Sequence, residues 1–153
     1  MKIFRLARAG FRSSLWSGEG GLHVDGRWHV AGRRVVYGAQ SLSLAQLEVL
    51  VHISDRRQMP PLVYGEADIP HSLSIEVIEI AGLPENWRRF APYHAETQRI
   101  GADWLKRQSS AVLQAPSAIS AAEWSFLLNP AHPEFSRIKL GTPQVFEMDP
   151  RVP

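Results

Sequence analysis

The chain contains no cysteine, which excludes a disulfide framework and any cysteine-ligated metal. It has no apolar run approaching the roughly 20 residues needed to cross a bilayer. Lys2, Arg5 and Arg8 interrupt the N-terminal apolar residues, so the continuous core of a signal peptide is missing. A soluble, cytoplasmic protein without membrane contact is the expectation. No Gly-x-Gly-x-x-Gly and no Walker spacing occurs, which leaves a Rossmann or P-loop site unsupported. The 6 histidines are dispersed, with no His-x-x-x-His pair, so no metal site is expected. Repeats and low-complexity tracts are absent as well.

Charge is also scarce. There are 17 basic against 15 acidic residues, a formal net charge of +2, yet the isoelectric point is near 9.3. Arginine greatly outnumbers lysine, and it falls in pairs (Arg33-Arg34, Arg56-Arg57, Arg88-Arg89) rather than in a long run. Such pairs suit a solvated surface or an anionic small-molecule site better than a nucleic-acid face. The length of 153 residues fits a single domain over 1–153 with a sizeable core.

The stretch from Asp25 to Ile53 organises what is present. Asp25-Gly26-Arg27-Trp28 reads as a glycine turn, Val35-Val36-Tyr37 as a short strand, and Ser41–Ile53 as a helix. Ser43 followed by Gln46 fits a capping box at the helix start. On a helical wheel Leu44, Ala45 and Val51 flank Glu48, while Leu42, Leu47, Val49, Leu50 and Ile53 fill most of the remainder. A helix apolar nearly all round is predicted to be buried. Its lone carboxylate, Glu48, must then pair internally, with Arg27 or His52, or look into a pocket, because an unpaired buried charge is costly.

Elsewhere, Lys2–Leu6, Leu62–Tyr64, Ser74–Ile80 and Ala111–Ala115 read as strands. Ser13–Gly26 reads as an irregular glycine-containing loop. Ser54–Pro61 is a polar, proline-stopped connection, and Tyr93–Arg107 carries helical spacing weakened by Gly101. Arg137–Leu140 and Gln144–Phe146 suggest a final hairpin around Gly141-Thr142-Pro143. Glu76 and Glu79 fall on opposite faces of their strand, which argues against a paired-carboxylate glycosidase site. Trp28 is expected to anchor the core. Tyr37 suits half-buried packing or stacking on a ring, and Arg5 is either an outward charge or a phosphate contact. Ser117 lacks both a neighbouring base and a nucleophile elbow, which leaves a turn residue or a hydrogen bond to ligand.

Taken in order, Gly26-Arg27-Trp28, Val35-Val36-Tyr37, Leu44-Ala45-x-x-Glu48, Pro116-Ser117-Ala118 and Leu128-Asn129-Pro130-x-His132-Pro133 resemble the RES domain, the toxin of RES–Xre toxin–antitoxin pairs. The likeness runs from Ile3-Phe4-Arg5 to Asp149-Pro150-Arg151. It includes Leu83-Pro84-x-x-Trp87 and Gly101-x-x-Trp104-Leu105. The family is named for an arginine, a glutamate and a serine, here Arg27, Glu48 and Ser117, with Tyr37 as a fourth.

The resemblance implies an α+β fold of the ADP-ribosyltransferase type, with mainly antiparallel strands around a cleft and flanking helices. It implies an enzyme that cleaves the nicotinamide–ribose bond of NAD, with water or phosphate as acceptor, so that NAD is substrate and no prosthetic group is needed. Glu48, Arg27 and Tyr37 would be catalytic, and Arg27, Tyr37, Ser117, Arg5 and Asn129 would bind substrate. Arg27 would anchor the pyrophosphate, Tyr37 would stack on the ring, and Glu48 would supply negative charge near the ribose. An Xre-type antitoxin would cover the cleft, and the free protein would inhibit growth. His29 and Ser125 stand where family members carry asparagine. These departures keep open a degenerate partner-binding module. The same resemblance is compatible with protein ADP-ribosylation, and arginine content alone admits a nucleic-acid module.

Overall fold

The computed structural model describes residues 1–53 and 59–152. Ser54–Gln58, most of the expected polar connection, lie outside the described residues. In chain order the strands are β1 (Lys2–Arg8), β2 (Val36–Ala39), β3 (Leu62–Asp68), β4 (Ile75–Val77), β5 (Val112–Pro116), β6 (Trp124–Leu128), β7 (Lys139–Leu140) and β8 (Gln144–Phe146). The α-helices are α1 (Gly20–His23), α2 (Leu42–Leu50) and α3 (Ala95–Arg107). All eight strands join one sheet in the order β4-β5-β6-β2-β1-β3-β7, with β8 also on β3. The β4–β5 pair is parallel and the others are antiparallel. This is the expected α+β class, with mainly antiparallel pairing.

Strand alternation divides the core between the faces of the sheet. Phe126 and Leu128 of β6 pack with Ile3, Trp16 and Val36 on one side. Leu127 packs with Trp28, Trp87, Trp104 and Leu113 on the other. A smaller cluster of Leu6, Ala39, Leu44, Ala45 and Leu62 seats α2.

Several expectations about local structure are corrected. The start of α2 is capped by Ser41, whose Oγ accepts the Leu44 N–H at 3.0 Å, rather than by a Ser43–Gln46 box. Ser41 Oγ also donates to Glu123 Oε1 at 2.7 Å, tying the helix to the start of β6. Nor is α2 buried on all sides. Leu44 and Ala45 are buried, whereas Leu47 is 42% and Val51 is 56% exposed, because the sheet covers one flank only.

The final hairpin is not formed. β7 pairs with Ala67 and Asp68, and β8 with Leu62–Tyr64, so both lie along β3 as one interrupted edge strand. The Gly141 N–H donates to the Glu66 carbonyl at the break, at 2.7 Å. β4 is shorter than expected, and Ile80 opens a 3-10 turn. The strand β6, unforeseen from the sequence, lies inside the sheet between β5 and β2.

The 13-residue α3 is capped by His94, whose Nδ1 accepts the Glu96 N–H at 3.1 Å. A β-carbon at Gly101 would stand 1.7 Å from the Trp28 carbonyl oxygen. The glycine that weakened the sequence signal is therefore what allows α3 to lie against the Trp28 turn.

Candidate functional site

A cleft of about 590 Å³ opens between the Asp25–His29 turn, β1, β2, α2 and the segment 88–93. That volume lies within the range of about 300 to 1,000 Å³ usual for small-molecule sites. Arg5, Arg27, Tyr37 and Glu48 all line it, although β1, the turn, β2 and α2 deliver them separately.

Trp28 is 2% exposed and serves as the expected core anchor, with its ring 5.9 Å from that of Trp87. It fixes the turn that carries Arg27. The half-buried Arg27 guanidinium donates through Nη1 to the carbonyls of Trp87 (2.8 Å) and Arg89 (2.9 Å). It also lies over the rings of Tyr93 at 5.3 Å and Trp87 at 5.9 Å. Burial lowers its pKa, and the nearby Glu48 charge opposes that shift. A guanidinium has five N–H donors, so donors remain for an anion after the two carbonyls are served.

Glu48, on the half-buried flank of α2, makes no hydrogen bond and no ion pair among the described residues. Arg27 influences it through space only. Desolvation pushes the Glu48 carboxyl upward, and Arg27 pulls it back. The internal ion pair with Arg27 or His52 is therefore not formed. His52 instead packs against Phe90, ring centroids 5.2 Å apart. A carboxylate partly withdrawn from water, without a neutralising contact and facing a cleft, is the kind of group found at functional sites.

Arg5 points inward. Its Nη1 donates to the Tyr37 carbonyl at 2.7 Å, and its Nε is buried without a partner. Burial lowers its pKa to about 10, which still leaves a cation at neutral pH. Among the described residues Arg5 has no carboxylate partner. Tyr37 takes the Trp28 N–H on its hydroxyl at 3.2 Å, and Nδ1 of His29 lies 2.8 Å from the same oxygen. Burial raises the Tyr37 pKa, so the phenol stays neutral.

Ser117 and Asn129 do not line the cleft. Ser117 is 1% exposed, and its Oγ accepts the N–H groups of Ile119 and Ser120 at 3.2 and 3.0 Å. Its hydroxyl is engaged in a turn, and the neighbours Pro116, Ala118 and Ile119 form the wall of the cleft. Asn129 is buried, with Oδ1 accepting the Ala131 N–H at 3.0 Å and Nδ2 unpartnered. It does not line the cleft.

Sequence reasoning missed Arg88, Phe90 and Tyr93 as cleft residues and left Ser125 in doubt, yet all four line it. A signal was present in Trp87-Arg88-Arg89-Phe90-Ala91-Pro92-Tyr93, where aromatic and cationic residues alternate in a proline-containing loop. Such a loop can offer stacking and charge together.

Comparison with known proteins identifies the family. A model described as the RES domain matches residues 2–149. A protein named Toxin Res from Photorhabdus laumondii is 39% identical over 137 residues, covering 90% of this chain and 86% of that protein. Another Toxin Res, from Yersinia enterocolitica, is 35% identical over 153 residues, covering 99% of each chain. A protein named Prs ADP-ribosylating toxin, from a Sphingobium species, is 33% identical over 138 residues, covering 89% of this chain and 85% of that one. With the motifs in order, the cleft assembled and the match running almost end to end, the chain belongs to the RES domain family, whose fold is of the ADP-ribosyltransferase type.

Proposed function

We infer that this protein is a toxin that consumes NAD by cleaving its nicotinamide–ribose bond. One observation carries the reading: a single cleft gathers a carboxylate with no contact partner among the described residues, Glu48, with two arginines, Arg5 and Arg27, and aromatic walls. NAD presents the complementary set, an anionic pyrophosphate, a planar ring and a ribose that becomes cationic as the bond breaks.

Arg27 receives the pyrophosphate on the donors not used by the Trp87 and Arg89 carbonyls. Arg5 adds positive potential at the same end. Tyr37, with Tyr93 nearby, supplies flat surface for the ring. The departing bond leaves its electron pair on the ring nitrogen, so nicotinamide leaves neutral and the positive charge passes to the ribose. Glu48 stabilises that charge, and its partial removal from water strengthens the effect. Water then adds to the anomeric carbon and releases a proton, giving ADP-ribose.

A partner protein of the Xre antitoxin type covering the cleft belongs to the same proposal. The exposed apolar side chains Val24, Val51 and Phe90 all line the cleft mouth and offer such a partner a surface. Protein ADP-ribosylation is the second reading, favoured by the name of the Sphingobium relative. Product analysis separates the acceptors. Purified protein given NAD should release nicotinamide and free ADP-ribose, with a phosphorylated ribose appearing only if added phosphate is the acceptor. Nicotinamide release matched by ADP-ribose bound covalently to protein would favour the second reading, and intact NAD would reject both.

A further inference from the structure

Trp87 is 5% exposed, and two guanidinium groups share its ring. Arg27 Cζ stands 5.9 Å from the ring centroid and Arg88 Cζ stands 5.2 Å from it. One arginine comes from the Gly26 turn and the other from the residue after Trp87, and both line the cleft. A cation over an indole face is held there by the ring's quadrupole. Arg88, although exposed, therefore has a preferred place on the cleft wall.

Neither cation has an acid against it. Arg34, Arg99, Arg107, Arg137 and Arg151 each pair with a carboxylate. Arg88 makes no hydrogen bond and no ion pair among the described residues. Arg27 meets only the Trp87 and Arg89 carbonyls, both through Nη1, which leaves its Nε–Nη2 edge without a protein partner. Asp25 and Glu48 line the same cleft and contact neither guanidinium. Two positive charges over one ring repel each other, and besides burial the Arg88 charge acts to lower the Arg27 pKa. An anionic ligand relieves that repulsion. A guanidinium grips an anion best through two parallel N–H donors on two oxygens, so two such forks call for four oxygens. The pyrophosphate of a diester offers four terminal oxygens in two pairs, whereas a phosphate monoester has three on one centre.

We propose that Arg88 is a substrate-binding residue that joins Arg27 in a two-guanidinium clamp over Trp87, and that this clamp makes the cleft selective for diphosphate esters over monophosphates. In NAD the clamp takes the pyrophosphate. That identity rests on the NAD reading above; the preference for a diphosphate does not.

Two measurements test it. The first is calorimetric binding of ADP-ribose and of AMP, which at about pH 8 carry similar total charge, on two phosphates and on one. The parent should bind ADP-ribose about tenfold or more tightly than AMP. Arg88→Gln should weaken ADP-ribose by about tenfold, the scale of one charge-assisted hydrogen bond, and AMP by about twofold or less. Arg33→Gln removes the same charge from a residue outside the cleft and should change neither. The second measurement is NAD turnover. Arg88→Gln should raise KM about tenfold and hold kcat within about twofold, because the pyrophosphate is bound alike in the ground and transition states.

Unchanged ADP-ribose affinity in folded Arg88→Gln overturns the proposal, as does an equal loss for ADP-ribose and AMP. A parent that binds the two nucleotides equally, an equal loss in Arg33→Gln, or a fall in kcat at unchanged KM does the same. Should Arg88→Gln not fold, Arg88→Lys keeps the charge without the fork; it should weaken ADP-ribose more than AMP, and equal effects on the two overturn the clamp. Intact NAD beside the expected ADP-ribose preference rejects the NAD reading and supports the clamp.

Discussion

Replacing Glu48 by glutamine removes one charge from the cleft wall while nearly preserving volume and hydrogen-bonding reach. The structure allows the consequence to be sized. Two unit charges about 4 Å apart at an effective dielectric near 20 interact by about 4 kcal/mol, or roughly three decades in rate. Because the cleft is open and Glu48 only partly buried, solvent screening reduces this, and kcat should fall roughly a hundredfold to a thousandfold. KM should change far less, since the ground state holds its positive charge on the ring rather than the ribose. Stability should move in the opposite sense from that of a broken ion pair. Burial raises the Glu48 carboxyl above its ordinary value, so the fold binds that proton more tightly than the unfolded chain does. The stabilisation is complete below the unfolded pKa and is lost as pH rises through the folded one, leaving the carboxylate a net cost at neutral pH. The glutamine variant should therefore melt no lower than the parent at pH 7. Calorimetry and NAD turnover on one preparation check both. A variant with a clearly lowered melting point and near-normal turnover per folded molecule would refute the electrostatic role.

Other outcomes follow from the same geometry. The acidic limb of kcat/KM should lie above the ordinary glutamate value of about 4.3, because Glu48 must ionise against its burial, and the limb should disappear in Glu48→Gln. Arg27→Lys keeps charge but loses the fork and the hold on the Trp87 and Arg89 carbonyls, so KM for NAD should rise about tenfold or more. Hydrogen exchange should also quicken across 87–93. Ser117→Ala leaves two turn N–H groups without their acceptor and should cost about 1 kcal/mol of stability by denaturant titration, with turnover per folded molecule little changed. Gly101→Ala drives a methyl into the Trp28 carbonyl and should destabilise by about 3 kcal/mol, lowering NAD turnover as the Arg27 turn shifts.

How far the sequence reached differs from element to element. Alternation in β1 and the apolar run of β5 were readable because each strand's burial depends on its own residues. The α+β class and the cleft came through resemblance, not periodicity. β6 was missed because Trp124–Leu128 is short and nearly continuous in apolar character, a pattern that does not separate strand from buried helix. Burial of α2 was overestimated because hydrophobicity reveals what a helix can bury, while the sheet decides how much of it is covered. Arg27 on its glycine turn and Glu48 alone on an apolar helix stood out locally, but only the resemblance made them and Tyr37 site candidates, and the structure brings them together with Arg5. The aromatic and cationic residues of 87–93 were visible, but their place in the cleft wall was not, since tertiary packing alone sets that loop against Arg27. The same holds for the contact of His29 with Tyr37, which joins two elements.

The most direct measurement is proton NMR of NAD mixed with purified protein, following free nicotinamide over time beside the Glu48→Gln variant. Nicotinamide should accumulate with many turnovers per parent molecule and at least a hundredfold more slowly with the variant. NAD left intact by folded parent protein at stoichiometric concentration would contradict the assignment of this cleft to NAD cleavage.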